Sequence, residues 1–263
     1  MTAVAAAGTT FACLDRGEGP LTVLLHGFGM DRRMWRPVLE HLDGGRRYLA
    51  VDLRGAGDTA PHPGPEMTLE RHADDVAAVI RGCGVRRACV VGFSMGAFVL
   101  LALLERHPRL VSSAVFVGAR ANADDAPTRA GRAALIRTLV DDGRGAGYRQ
   151  ILPKLAAPGA TVHVRAQLRT MFEDQPYDGL VAAQEAMLAR PDRRSVLAGV
   201  TVPVLVVAGE HDAFAPAPLP QQMAQAAPDG RLEVVAGVGH TIPLEAPAEL
   251  AGLLDAFWRR SGR

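Results

Sequence analysis

The chain has 263 residues, of which 48% are hydrophobic and 22% are charged, and its formal net charge is +1. This composition is typical of a globular protein, and the length suits one α/β domain that carries an insertion. The near-zero net charge gives no electrostatic reason to expect nucleic acid or an anionic membrane as the main partner.

The cysteines and the N-terminal residues indicate the cellular compartment. Cys13, Cys83 and Cys89 are an odd number without the spacing of a metal site, and they imply no disulfide framework. The N-terminus lacks the basic segment of a secretory signal, and no apolar segment reaches the ~20 residues that span a bilayer. We therefore expect a cytoplasmic protein with no membrane partner.

Apolar and amphipathic segments alternate in the first half of the chain. Residues 9–14 and the glycine-rich turn at residues 16–20 predict an edge hairpin. Buried strands are predicted at residues 21–25, 48–51, 88–91 and 113–117. Helices are predicted at residues 33–42, 68–80 and 97–107, and a proline-rich loop at residues 60–65. Such alternation predicts a parallel sheet with helical crossovers.

The alternation stops after residue 121. Helices are then predicted at residues 128–140, 148–156, 162–172 and 180–188, with no convincing strand among them. Strands return at residues 202–208 and 232–235, with helices at residues 218–227 and 248–258. We expect residues 1–121 and 198–263 to form the core, and residues 122–197 to form a helical cap that covers the site. The alternative is a set of peripheral helices without a role in the site.

One serine lies between a predicted strand and a predicted helix, at residues 90–96 (VVGFSMG). Gly92 and Gly96 flank Ser94, which gives the Gly-x-Ser-x-Gly pattern of a nucleophile elbow. A turn this tight holds the serine in strained backbone geometry and aims the first amides of the helix at whatever its hydroxyl attacks. For the pattern alone, a solvated serine in an ordinary glycine-rich turn is the alternative.

Three polar residues follow three predicted strands in the order Ser94, Asp212 and His240. That order, with each residue after a strand, is what a serine-hydrolase triad needs on this kind of sheet. His240 would then take the proton of Ser94, and Asp212 would orient the imidazole. Asp124 and Asp125 follow the strand at residues 113–117 and are alternative acids. We expect the backbone N–H groups of Phe28 and Met95 to stabilise the oxyanion.

Five segments together resemble those of the α/β-hydrolase superfamily over essentially the whole chain. They are residues 24–29 (LLHGFG), 52–57 (DLRGAG), 91–96 (VGFSMG), 209–212 (GEHD) and 239–240 (GH). They are most similar to the branch of 3-oxoadipate enol-lactonases and small carboxylesterases, with non-haem haloperoxidase-like esterases nearby. The resemblance implies a mostly parallel eight-stranded sheet flanked by helices, with a helical cap inserted after the sixth strand. Ala56, where many relatives have histidine, and Ala97, where a third glycine is common, depart from the pattern.

Apolar side chains are expected to form the substrate pocket. The candidates are Trp35, Phe172 and Phe214, with Phe28 and Met95 on its floor and with Leu152, Leu168 and Met171 from the cap. For the cap residues, ordinary helix packing is an equally good interpretation. Five arginines make the cap basic: Arg129, Arg132, Arg149, Arg165 and Arg169. They form solvated helix faces, or one of them binds a substrate carboxylate.

The sequence therefore predicts a serine hydrolase that cleaves a small-molecule ester or lactone through an acyl-serine intermediate, without a metal or cofactor. C–C bond hydrolysis, perhydrolysis or a lyase-type step on the same residues is the alternative, because the fold does not fix the reaction. A ligand sensor with slow turnover is a further alternative. Either a monomer or a homodimer is compatible with the sequence.

Overall fold

A computed structural model describes residues 2–60 and 67–260 of the chain. Within these residues one sheet contains eight strands: β1 (Thr2–Ala6), β2 (Thr9–Arg16), β3 (Leu21–Leu25), β4 (Arg47–Val51), β5 (Ala88–Phe93), β6 (Val111–Val117), β7 (Val204–Gly209) and β8 (Gly230–Val235). Their order across the sheet is β1-β2-β4-β3-β5-β6-β7-β8. β1 and β2 are antiparallel to their neighbours and the remaining strands are parallel, which confirms the predicted fold class.

Helices cover the two faces of the sheet. They are α1 (Arg36–Leu39), α2 (Leu69–Gly82), α3 (Met95–Arg106), α4 (Ala126–Leu155), α5 (Val162–Asp174), α6 (Tyr177–Ala189), α7 (Arg194–Ala198), α8 (Leu219–Ala226), α9 (Ile242–Glu245) and α10 (Pro247–Arg260). Short 3₁₀ turns occupy Arg32–Trp35 and Pro108–Leu110. Most of the proline-rich loop predicted at residues 60–65 lies outside the described residues.

The central strands have continuous hydrophobic sequences because an apolar layer covers each face of the sheet. All residues of β3, β5 and β7 are buried, as expected for strands covered on both faces. One layer contains Val76 of α2 and Val99 of α3, and the other contains Val38 of α1 and Leu250 of α10. The buried parallel strands fix the edge of the sheet at which their following loops meet.

The edge hairpin differs from the prediction. Its two strands are β1 and β2, and the turn between them is at Ala7 and Gly8, which both have positive φ angles (48° and 72°). The glycine-rich segment at residues 16–20 instead leads from β2 to β3, which pairs with β4 and β5. Strand β1 could not be predicted from its sequence, because alanine has a low strand propensity. The turn was also missed, because alanine is an unusual residue at positive φ.

The helices α4 to α7 lie between β6 and β7, and we call them the helical insertion. Two helices predicted at residues 128–140 and 148–156 are the two arms of α4, which bends at Gly143. Helix α7 was not predicted. The buried Gln175 side chain joins the insertion to the core, because its amide nitrogen donates to Asp31 and its amide oxygen accepts from the Gly57 N–H.

Candidate active site

Ser94 stands at the apex of the turn between β5 and α3, in strained backbone geometry. Its φ of 51° and ψ of −110° are unusual for a residue with a side chain. A Cβ at Gly96 would lie 2.5 Å from the Leu25 carbonyl oxygen, and one at Gly92 would overlap the backbone of Gly96. The strain at Ser94 therefore depends on two close backbone approaches that only glycine permits.

The structure brings His240 and Asp212 to this serine. His240 Nε2 lies 2.9 Å from Ser94 Oγ, and His240 Nδ1 lies 2.9 Å from each carboxylate oxygen of Asp212. The loops after β7 and β8 supply the aspartate and the histidine. Both residues are 3% exposed, so water competes little for these hydrogen bonds.

The environment of Asp212 keeps its carboxyl group ionised. Burial opposes ionisation, but His240 and the backbone N–H groups of Phe214 and Ala215 together lower the pKa of Asp212 below its usual value. An ionised carboxylate accepts a hydrogen bond from the Nδ1–H of His240, so Nδ1 keeps its proton and the unprotonated Nε2 can act as an acceptor. In that tautomer His240 can accept the hydroxyl proton of Ser94.

Aromatic rings and a glycine surround the imidazole of His240. The rings of Phe93 and Phe214 have centroids 5.0 Å and 4.8 Å from it. A Cβ at Gly118 would lie 3.2 Å from the imidazole, so β6 ends directly beside the ring. These contacts fix the ring against the serine.

Sequence reasoning missed Glu245, which holds the loop that carries His240. Its carboxylate accepts from the backbone N–H groups of Gly239 and Thr241, at 3.1 Å and 3.0 Å. It also accepts from the N–H of Ala157, two residues after the end of α4, at 2.8 Å. A glutamate five residues after the histidine was the only available signal, and it does not reveal the contact with Ala157.

The structure does not bring the two alternative acids to His240. Asp124 accepts hydrogen bonds of 2.6 Å from each of three arginines: Arg120, Arg132 and Arg190. Asp125 is exposed and caps α4 by accepting from the Thr128 N–H at 3.0 Å. Asp212 is therefore the acid that contacts the histidine.

The two expected oxyanion donors lie next to Ser94. A Cβ at Gly27 would be 3.3 Å from Ser94 Cβ, so the backbone just before Phe28 runs against the serine. Met95 is the first residue of α3, and the first amides of a helix have no intrahelical acceptor. Their part in oxyanion binding stays a prediction.

His26 braces the loop after β3. Its Nδ1 lies 2.8 Å from the Gly27 carbonyl oxygen and its Nε2 accepts from the Leu53 N–H at 2.9 Å. In the loop after β4, Asp52 pairs with Arg32 of the 3₁₀ turn, and Arg54 pairs with Asp75 of α2. These residues shape the site without reaching the serine.

Ser94 and His240 lie in the wall of a cavity of about 360 Å³. Phe28, Phe93 and Phe214 form part of its apolar wall, which agrees with the expectation for Phe28 and Phe214. The insertion contributes further apolar side chains: Leu135, Ile151, Leu155 and Met187. A volume of this size suits a small organic substrate.

Other predicted pocket residues lie behind the wall. Trp35 is fully buried in the core layer that contains α1 and α10, and is not among the described residues that line the cavity. Phe172 is 1% exposed and packs edge-on against Phe28, with a centroid distance of 5.8 Å. The prediction that Trp35 and Phe172 line the pocket is therefore wrong. An apolar residue type does not show whether a side chain faces the cavity or packs in the core behind it. Core packing, rather than the cavity, also accounts for the Met95, Leu168 and Met171 side chains.

Charged residues also line the cavity. Of the five arginines expected to make the insertion basic, Arg132 alone is among the described residues of the cavity wall. Arg120 and Lys154, which the sequence did not single out for this site, accompany it. Among the described residues no group of three or more His, Cys, Asp or Glu is placed to hold a metal ion. None of the helices within residues 2–60 and 67–260 is long and apolar enough to cross a membrane.

Comparison with known proteins identifies the family. The family model described as alpha/beta hydrolase fold matches residues 20–247. The chain therefore belongs to the α/β-hydrolase family, as the five sequence segments predicted. Together with its esterase and lactonase relatives, this membership makes the chain an enzyme of the hydrolase type.

Relatives of known sequence include an esterase and a bifunctional protein. The pimeloyl-[acyl-carrier protein] methyl ester esterase of Aromatoleum aromaticum is 31% identical over 251 residues, which cover 90% of this chain and 97% of that protein. The biotin biosynthesis bifunctional protein BioHC of Teredinibacter turnerae is 24% identical over 258 residues. That match covers 90% of this chain and 44% of the bifunctional protein, so the chain spans less than half of its length.

Solved structures with the same fold include an esterase and a lactonase. A thermophilic esterase of Thermogutta terrifontis, solved with malate bound, has a TM-score of 0.93 and 27% identity, over 100% of this chain and 99% of that one. The enol-lactonase of Burkholderia xenovorans LB400 has a TM-score of 0.87 and 26% identity, over 98% of this chain and 100% of that one. These similarities extend over nearly the whole chain, the helical insertion included.

Proposed function

We propose that this protein hydrolyses carboxylic esters or lactones of small molecules through an acyl-serine intermediate. The observation that carries the proposal is the unbroken hydrogen-bond chain from Ser94 Oγ through His240 to Asp212. Serine is a weak nucleophile unless a neighbouring base takes its proton. The esterase and enol-lactonase among the similar structures support the same reaction class.

In the first half-reaction Ser94 Oγ attacks the carbonyl carbon of the ester. His240 Nε2 takes the hydroxyl proton, and the ionised Asp212 stabilises the imidazolium. The backbone N–H groups of Phe28 and Met95 bind the oxyanion, and losing one such donor typically raises the barrier by about 3 kcal/mol. The C–O bond to the leaving group then breaks, and His240 returns the proton to the departing alkoxide.

In the second half-reaction water attacks the acyl-serine. His240 Nε2 takes a proton from the water, a second tetrahedral species forms, and the bond to Ser94 Oγ breaks as Ser94 regains its proton. The products are a carboxylic acid and an alcohol, which for a lactone are two ends of one hydroxy acid. Each step uses groups that belong to this chain or to water, and so the proposal names no cofactor.

Replacement of the nucleophile tests the proposal. Ser94→Ala should lower kcat for 4-nitrophenyl butyrate by at least ~10⁴, because the groups of such a triad act as a unit. Ser195→Ala is the matched control, since Ser195 is exposed on α7, away from the cavity. A fluorophosphonate should label the wild type at Ser94 and fail to label Ser94→Ala.

A folded Ser94→Ala protein with wild-type ester turnover would refute the proposed mechanism. Product analysis with esters, lactones, β-diketones and added hydrogen peroxide separates ester cleavage from C–C hydrolysis and perhydrolysis. A burst of labelling without multiple turnover would instead favour the sensor alternative.

A further inference from the structure

Three cations line the cavity that contains Ser94. Arg120 follows β6, Arg132 lies on the first arm of α4, and Lys154 lies near the end of its second arm. No aspartate or glutamate is present among the described residues of the cavity wall. The side chains of the wall that carry a full charge at neutral pH, apart from His240, are therefore all positive, and they lie among apolar and uncharged polar side chains.

One carboxylate, that of Asp124, contacts the arginines, and its single negative charge does not neutralise them. Asp124 accepts hydrogen bonds from Arg120, Arg132 and Arg190, so one carboxylate faces three guanidinium groups. Its side chain is 1% exposed, and that of Arg190 is 2% exposed. Arg120 and Arg132, at 13% and 15%, are the members that reach the cavity, so they present the excess positive charge to it.

The hydrogen-bond capacity of the arginines is also unfilled. Only one nitrogen of Arg120, Nη2, donates to an acceptor among the described residues. Arg132 donates through Nε to Asp124 and through Nη1 to Gln184 and Met187, which leaves Nη2 available. A guanidinium has five N–H donors in a planar fork that suits a carboxylate.

Burial, together with mutual repulsion, makes this cluster of positive charges unfavourable without a further anion. Burial, followed by the charges of Arg120 and Arg132, lowers the pKa of Arg190 to about 10 despite the attraction of Asp124. Uncompensated charge beside an apolar cavity is strongly disfavoured, and a second anion in the cavity would offset it. Lys154 makes no ion pair within the described part of the chain, and it is an exposed residue that lines the same cavity.

We propose that Arg120, Arg132 and Lys154 form an anion subsite, and that the preferred substrates are esters or lactones that carry a second, ionised carboxylate remote from the scissile carbonyl. This inference rests on the proposed function for its account of the reaction, and it adds the substrate class. Binding of the carboxylate needs no chemistry at Ser94, so binding and turnover test the two proposals separately.

A matched pair of esters tests the preference. Mono-4-nitrophenyl adipate carries the remote carboxylate, and 4-nitrophenyl hexanoate is its neutral counterpart of equal acyl length. We expect the wild type to have a kcat/KM at least tenfold higher for the adipate. Lys154→Met should lower the ratio of the two values about fivefold, and Arg120→Met should lower it about tenfold. Arg169→Met is the control, because Arg169 is exposed and pairs only with Glu173 among the described residues.

A binding measurement keeps the test independent of turnover. Ser94→Ala protein is titrated with free adipate and with neutral adipamide by calorimetry. Adipate should bind and adipamide should bind at least tenfold more weakly, with the difference reduced when Lys154→Met is added. This double variant also covers the case in which Arg120→Met fails to fold, since Lys154 has no structural partner among the described residues.

The outcomes separate the two proposals. Equal kcat/KM for the two esters in an enzyme that depends on Ser94, together with equal binding of adipate and adipamide, would overturn the anion subsite alone. Ratios that stay unchanged in both Lys154→Met and Arg120→Met would overturn the assignment of these residues. Ester turnover that survives Ser94→Ala would overturn the proposed mechanism and leave the binding result standing.

Discussion

We expect the carboxylate of Asp124 to contribute more to the free energy of unfolding than that of the exposed Asp125. The substitution Asp124→Asn measures the contribution of its charge. The substitution keeps the size of the side chain and removes its charge. It also turns an amide NH₂ towards a guanidinium, so a donor faces a donor where Asp124 now accepts three hydrogen bonds of 2.6 Å. Three arginines would then share one partially buried cluster without an anion.

The burial of the cluster sets the size of the effect. Breaking a buried ion pair by removing one partner typically destabilises a protein by about 3–5 kcal/mol. Arg190 is 2% exposed, but Arg120 and Arg132 reach the cavity and keep part of their hydration, so we expect the lower end of this range, about 3 kcal/mol. For a chain of this size such a loss lowers Tm by roughly 6–12 °C.

Thermal and urea unfolding of wild type, Asp124→Asn and Asp125→Asn measure the effect. Asp125→Asn is the matched control, because Asp125 is exposed and asparagine caps a helix as well as aspartate does. The control should change the free energy of unfolding by less than ~0.5 kcal/mol. Equal stability of Asp124→Asn and wild type at pH 7 would refute the reasoning.

The pH dependence of the stability difference between wild type and Asp124→Asn is an independent test of the same reasoning. The surrounding arginines hold the pKa of Asp124 below its ordinary value of 3.8 against the opposing effect of burial. A carboxyl group with a depressed pKa in the folded state stabilises the protein above its unfolded pKa, and this stabilisation is lost as the pH falls through the folded pKa. The gap between wild type and Asp124→Asn should therefore be constant near neutral pH and shrink below about pH 4.

Further predictions concern the geometry around Ser94. Asp212→Asn should lower kcat by ~10⁴ with little change in KM, because the amide favours the wrong tautomer of His240; steady-state kinetics on a neutral ester measures it, and an unchanged kcat would contradict the role of Asp212. Gly96→Ala should destabilise the protein and lower its activity, because the new Cβ would lie 2.5 Å from the Leu25 carbonyl oxygen. Gly252→Ala is its control, since a Cβ there meets nothing within 4 Å and alanine favours helix α10, so the variant should gain roughly 0.5–1 kcal/mol in urea unfolding.

The turn at Ser94 could be predicted from sequence because its determinants are local. Gly92 and Gly96 are needed by backbone contacts within the turn and with the adjacent strand β3, and both appear within two residues of Ser94. Asp212 and His240 could be placed because each follows a buried strand, and the ends of parallel strands meet at one edge of the sheet. The hydrophobic periodicity and the order of the strands were therefore sufficient to predict the fold and the contact between the serine, the histidine and the aspartate.

The sequence could not decide between aspartates that occupy equivalent local positions. Asp124 and Asp212 both follow a strand of the parallel sheet, yet Asp124 contacts three arginines and Asp212 contacts the histidine. The partners of Asp124 include Arg190, which is 66 residues away along the chain. The same limit applies to Trp35 and Phe172, whose apolar character is compatible with a cavity wall and with the core behind it.

The bend in α4 brings residues from both arms of the helix to the same cavity. Arg132 and Lys154 lie on its two arms, and in a straight helix their separation of 22 positions would correspond to about 33 Å. Both residues instead line one cavity of about 360 Å³.

The bend occurs at Gly143, where φ is 81° and ψ is −179°, a conformation that is essentially restricted to glycine. A Cβ there would meet nothing within 4 Å, so Gly143 is needed for its backbone angles and not for space. The core thus supplies the groups that would react, whereas one glycine in the insertion brings together the cations that we propose select the substrate.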